Sequence, residues 1–197
     1  MSASACQSSL FDPGPQVLIE DGEGGVFYLP GVIAPVIAAR WFSALREGVE
    51  WQSMRRPMYG RVVDVPRLVS SYRLDAPRLP EPLRAIADCV RAQLRQPFNT
   101  VGLNYYRDGN DSVAPHNDKL HTLVPGHPIA LLSLGSTRRM TVRAKVPPRA
   151  AIRIDLEPGS LLVMSHDSQQ YYDHGIPKTH DAVPPRMSLA FRVRPGG

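Results

Sequence analysis

A chain of 197 residues, 43% of them apolar, is long enough to bury one sizeable core. Its 23 basic against 18 acidic side chains give a net charge of +5, which suits a polyanionic partner. No apolar run approaches the ~20 residues of a membrane-spanning helix, so no membrane role is expected.

Twenty of the basic residues are arginine and three are lysine. Arginine favours bidentate contact with phosphate and carboxylate, and a high-GC bacterial genome would give the same bias. The two cysteines, Cys6 and Cys89, show neither a disulfide framework nor zinc-ligand spacing. That usage predicts a reducing cytoplasm, expected to be a bacterial one. A monomer is expected. Twenty prolines is about twice the usual ~5% share and argues against a helical bundle.

In chain order, residues 1–15 read as a disordered tail without the basic start and apolar run of a signal peptide. One domain is expected over 16–197. "GVFYLPGVI" predicts a strand and turn. The spacing of Ala34, Ile37, Ala38, Trp41 and Leu45 predicts an amphipathic helix over 34–47. Between them and the next helix, about 50–80 is arginine-rich: "MRRPMYGRVVDVPRLVSSYRLDAPR" holds six Arg against two Asp, with aromatics interleaved. It reads either as a solvated hairpin or as a lid over nucleic acid. A second helix is predicted over 82–95, with Pro82 at its first position and Leu83, Ile86, Ala87, Val90 and Leu94 on one face. After Phe98, short runs such as "TVGLNYY", "IALLSLG", "RMTVRA", "AIRIDL", "GSLLVMS" and "RMSLAFRVR" predict an antiparallel β core over 98–194. The fold class is mainly β with N-terminal helices. "RRMTVRAKVPPRAAIR" is a second basic stretch, without a single acid.

"PHNDKLHT" carries the first chemical signal. In extended chain, His116 and Asp118 point the same way and can converge on one atom. An imidazole and a carboxylate are two thirds of the facial triad of non-haem Fe(II) oxygenases. The third ligand is another histidine, and "GSLLVMSHDSQQYYDHGIPK" offers two, His166 at a strand exit and His174 where the chain re-enters the sheet. In the last strand, Arg186, Ser188, Ala190 and Arg192 share one face, while Met187, Leu189, Phe191 and Val193 share the other. Two arginines separated by small residues describe a pocket for a short dicarboxylate.

Taken together, "LNYYRDGNDSVAPHND", "PIALLSLGSTRRMTVR", "PGSLLVMSHDSQQYYDHGIPK" and "PRMSLAFR" resemble the AlkB family of Fe(II)- and 2-oxoglutarate-dependent dioxygenases, most of all the branch with the animal DNA-repair homologues. The resemblance implies a double-stranded β-helix, or jelly roll. It assigns Fe(II) to His116, Asp118 and His174, and 2-oxoglutarate to Asn104, Tyr106, Arg186 and Arg192, with O2 as co-substrate. It implies oxidative removal of N-methyl groups, released as formaldehyde, from 1-methyladenine and 3-methylcytosine in DNA, with RNA as a further substrate class. For the substrate it points to Tyr72 as the base-stacking aromatic and to Tyr59 with Met58 as a wedge, Arg61 holding phosphate beside them. Leu74 stands where a related repair enzyme has an aromatic. Leu120 stands where relatives carry an acid near the base's exocyclic amine, which leaves the same chemistry on a protein or small molecule as the alternative.

Overall fold

The computed structural model describes residues 14–58 and 61–196, with backbone alone over 56–58 and 61–63. Twelve strands and three α-helices are found among them. In chain order these are β1 (Gln16–Ile19), β2 (Val26–Leu29), α1 (Pro35–Gly48), β3 (Gln52–Met58), β4 (Arg61–Arg73) and α2 (Leu83–Leu94). They continue as β5 (Thr100–Tyr106), β6 (Val113–His116), β7 (Ile129–Gly135), β8 (Arg138–Ala144), β9 (Ala151–Leu156) and β10 (Leu161–Met164). α3 (Ser168–Tyr171), β11 (Tyr172–Ile176) and β12 (Arg186–Arg192) complete the set.

The strands form two antiparallel sheets. The larger has the order β1-β2-β10-β7-β12-β5-β4-β3 and the smaller β6-β11-β8-β9. Two apolar clusters make a layered body. On one face of the large sheet, Trp41 and Leu45 of α1 and Leu83, Ile86 and Val90 of α2 pack on Leu103, Leu132, Leu134, Met187, Leu189 and Phe191. On its other face, Tyr106, Leu131 and Ala190 pack against Met140, Val142, Leu156 and Ile176 of the small sheet. β12 runs through the middle of the large sheet, so its two faces serve the two cores, as its two-residue alternation predicts.

Both predicted helices form, with shifted ends. α1 begins at Pro35, whose fixed φ suits the first turn, and Ala34 is an exposed cap instead of part of the buried face. α2 begins at Leu83, with Pro82 as its cap, and ends on Arg95 in the left-handed region at φ 51°. Cys89 lies on the buried face of α2 and is disulfide-bonded, which corrects the expectation of two unlinked thiols. Its partner lies outside the described residues, as does most of the tail expected over 1–15. The arginine-rich segment is the β3–β4 hairpin, and β4 pairs with β5, so it extends the large sheet at its edge. Among the described residues no helix is long and apolar enough to cross a membrane.

Candidate metal and 2-oxoglutarate site

β6 and β11 are neighbours in the small sheet, and their register sets His116 directly opposite His174. The two imidazole rings lie with centroids 4.5 Å apart. That approach depends on Gly175: a Cβ there would meet Val113 O at 2.8 Å and Pro115 N at 3.0 Å, so any larger residue would push β6 away. His116 Nδ1 lies 3.0 Å from Ala114 O. A carbonyl only accepts, so Nδ1 is the donor in that contact and Nε2 is the ring nitrogen left to face a metal. His174 is 5% exposed. Burial, helped by His116, pushes its pKa down to about 3, against the pull of Asp118, so it is a neutral imidazole at neutral pH.

Two residues past β6, Asp118 faces both histidines electrostatically. Burial would raise its carboxyl pKa, but the Arg192 guanidinium and then the two histidines outweigh that and lower it. Arg192 grips the carboxylate with two bonds, Nε to Oδ2 at 2.6 Å and Nη2 to Oδ1 at 3.0 Å. Sequence reading placed Arg192 in the dicarboxylate pocket and did not foresee this fork. It needed the loop after β6 to fold across the end of β12.

At the other end of β12, Arg186 is wholly buried. Its Nη2 donates to Ser133 Oγ at 2.8 Å, and its guanidinium stands 5.5 Å from the Tyr106 ring centroid. Nε and Nη1 have no hydrogen-bond partner among the described residues. Burial, with Arg138 nearby, pushes its pKa down to about 10, so it is still a cation at neutral pH. A buried cation with two orphaned donors calls for an anion. The floor between the two arginines is built of small residues: Ser188 and Ala190 on β12 and, in register with them, Ser133 on β7 and Gly102 on β5. A Cβ at Gly102 would come within 3.3 Å of Arg192 Nη1.

Tyr106 and Asn104 fall on the same face of β5, opposite Arg186 and Ser188. Tyr106 is buried, which raises its phenol pKa. Asn104 Oδ1 accepts from Arg67 Nε at 2.7 Å. Arg138, read from sequence only as part of a basic stretch, is buried. It donates to Asp108 O, Asp111 O and Pro177 O, pinning the segments that follow β5 and β11. Arg67 and Arg138 had no sequence signal to separate them from surface residues. Ser133 alone could have been found, by alternation on β7.

The remaining predicted residues fare differently. Tyr72 packs half-buried against the helix-side core, on the sheet face opposite Arg192, and Leu74 is buried there too. Leu120 sits half-buried in a single 3-10 turn, Leu120–Thr122, just after Asp118. Met58 and Arg61 pair across the hairpin in backbone register. Their side chains and Tyr59 lie outside the described residues. His166 lies outside β11, whose partner strands are β6 and β8. With Glu23 and Asp167 it forms the one trio of ligand-type side chains, among the described residues, whose donor atoms all lie within 4.8 Å. That trio is tighter than the His116–Asp118–His174 group, whose carboxylate is turned to Arg192. Glu23 of the trio is exposed, and His166 and Asp167 are half-buried.

A profile of the 2OG-Fe(II) oxygenase superfamily matches residues 25–192. The chain belongs to that superfamily. The human protein named DNA oxidative demethylase ALKBH2 is 38% identical over 117 residues, which are 56% of this chain and 45% of that protein. Human alpha-ketoglutarate-dependent dioxygenase alkB homolog 3 is 30% identical over 161 residues, 77% of this chain and 55% of that protein. The resemblance to AlkB homologues thus extends beyond the motifs, although the chain spans about half the length of these relatives. The solved structure of OsALKBH1 superposes with a TM-score of 0.59 at 17% identity, covering 92% of this chain and all of that one, a likeness of fold.

The donor set fits the groups that the superfamily's name implies. Two imidazoles and a carboxylate suit Fe(II) with open positions, and the orphaned Arg186 guanidinium suits a carboxylate of 2-oxoglutarate.

Proposed function

We propose that the chain is an Fe(II)- and 2-oxoglutarate-dependent dioxygenase that removes N-methyl groups from alkylated bases in DNA, with RNA as a further substrate class. Its single domain over 16–197 would then be a double-stranded β-helix, the inter-sheet core of the large and small sheets forming its two walls. The observation that carries the reading is Arg186: a fully buried cation lacking two partners, on the strand face that ends at Arg192 and Asp118.

In this reading His116, Asp118 and His174 hold the iron. Arg186 takes the distal carboxylate of 2-oxoglutarate and Arg192 the carboxylate beside its keto group, with Asn104 and Tyr106 lining the same face. When bound, iron and 2-oxoglutarate supply the activation of O2 that oxidises an unactivated methyl group. The chain's own part is to orient and to keep dry. Tyr106, Ala190 and Leu131 close the pocket floor against water, and the Arg192 fork holds Asp118 ionised and ready to bind.

Nucleic acid as substrate rests on the printed names of the relatives and on charge. In the small sheet Arg143 and Arg153 stand exposed on the outward side of β8 and β9. Neither has an ion pair among the described residues, which suits phosphate contacts. The lid reading of the β3–β4 hairpin is weaker in charge than its sequence suggests, because Arg55 pairs with Asp64 and Arg73 with Asp75. That neutralisation, and Leu120 in place of an acid, favour as a second reading the same chemistry on a protein or small molecule. The test is formaldehyde release, measured against succinate, from oligonucleotides carrying 1-methyladenine or 3-methylcytosine. Stoichiometric formaldehyde is expected. Succinate without formaldehyde from any oligonucleotide would move the substrate to the second class.

A further inference from the structure

Asp118 lies on a stretch without ladder bonds, between the end of β6 at His116 and the 3-10 turn that begins at Leu120. Its carboxylate is fixed by Arg192, but a metal would compete for those same oxygens. Its main chain is held by a different group. Gln169, on α3 and 1% exposed, accepts the Asp118 backbone N–H through Oε1 at 3.0 Å.

Gln169 is itself held from three sides. Its Nε2 donates to Ser168 Oγ at 3.2 Å, and that hydroxyl donates to Ser165 O at 2.7 Å. Its backbone N–H donates to His166 O at 3.2 Å, and its carbonyl accepts from Lys145 Nζ at 2.7 Å. Ser165 Oγ ties the base of this relay to Asp21 on the turn between β1 and β2. An amide nitrogen cannot accept, so the carboxamide has one orientation that satisfies both of its contacts. The grip acts on the backbone and survives whichever partner the carboxylate has.

We propose that Gln169 is a positioning residue: it fixes the main chain of Asp118 so that the carboxylate stays aimed at the metal when the Arg192 fork loosens. This rests on the reading of Asp118 as a ligand. The test compares Gln169→Met, of similar length but without the acceptor, with Gln169→Glu, which keeps it, in the full chain. Co(II) affinity, hydrogen exchange at the Asp118 amide and Tm are measured on each. Gln169→Met is expected to exchange the Asp118 amide faster and to bind Co(II) at least about 10-fold more weakly at nearly unchanged Tm, the scale of a lost outer partner. Gln169→Glu is expected to recover most of that affinity. Wild-type affinity in Gln169→Met overturns the proposal. So does an equal loss in Gln169→Glu, which would trace the effect to packing. Should Gln169→Met not fold, Gln169→Ala removes the same acceptor at smaller volume, and wild-type Co(II) affinity there overturns the proposal equally. Asp118→Ala separates the two claims. Unchanged Co(II) affinity in Asp118→Ala sinks the ligand reading itself, whereas a loss there with none in Gln169→Met sinks only the positioning role.

Discussion

Replacing Arg186 by methionine should make the protein more stable without 2-oxoglutarate and deaf to it. Nε and Nη1 of the wholly buried guanidinium have no hydrogen-bond partner among the described residues, and each unsatisfied buried donor costs about 1–3 kcal/mol, more when charged. Against that, the variant loses one hydrogen bond to Ser133, worth about 1 kcal/mol, and the cation–π contact with Tyr106, about 1–2 kcal/mol. Methionine is flexible and of similar reach, so it fills the space without a large cavity. The balance is a gain of about 1–3 kcal/mol, in line with removal of other buried charges, or roughly 2–12 °C in Tm for a chain of this size. The wild type at 2-oxoglutarate 100-fold above its Kd should gain about 2.7 kcal/mol. Thermal unfolding with and without 2-oxoglutarate reads both effects. A variant that melts several degrees below wild type without the dicarboxylate, yet still rises with it, would refute the reasoning. Arg186 would then be a satisfied structural cation.

Three further outcomes follow from the same geometry. Gly175→Ala should displace β6 from β11, because the added Cβ has no room beside Val113 O and Pro115 N; a loss of about 1–3 kcal/mol in denaturant unfolding is expected, with weakened metal binding, and wild-type values on both counts would contradict the account. Asp111 is buried, which would raise its carboxyl pKa, but the Arg107 fork at 2.8 and 2.9 Å outweighs burial and lowers it. A depressed carboxylate contributes stability that is present above its unfolded pKa of about 3.9 and is lost as pH falls through the folded value. The Tm gap between wild type and Asp111→Asn should therefore be full at pH 7 and close below about pH 4, and a gap that widens on acidification would contradict the sign. Finally, Arg143→Ala with Arg153→Ala should weaken oligonucleotide binding uniformly across sequences and reduce the salt slope by about 2; an unchanged slope would remove this face from the interface.

Much of this was legible in the chain before any coordinates. The two-residue period of β12 separates Arg186 and Arg192 from Met187, Leu189 and Phe191, and the fold keeps that separation because both faces of a central strand are buried. The i, i+3, i+4 pattern gave α1 and α2 because one face of each packs on the sheet. Their ends moved by a residue or so, since cap geometry depends on neighbours. β6 and β11 were not read as strands: "VAPH" carries a proline and "YDHGI" a glycine and charge, and it is pairing, of β6 with β11 and of β11 with β8, that makes them regular. Basic stretches misled most. Charge along a sequence does not say which arginine turns inward, and Arg138 and Arg67 did, finding carbonyls and Asn104. Gln169 had no sequence signal, because its bond crosses 51 residues.

Two groups compete for the metal: His116, Asp118 and His174 beside the buried arginines, and the tighter trio of Glu23, His166 and Asp167. Anaerobic Fe(II) titration of wild type, His174→Ala and His166→Ala in the presence of 2-oxoglutarate distinguishes them in one experiment. Binding should disappear in His174→Ala and persist at wild-type affinity in His166→Ala. Binding that survives in His174→Ala and disappears in His166→Ala would contradict the account.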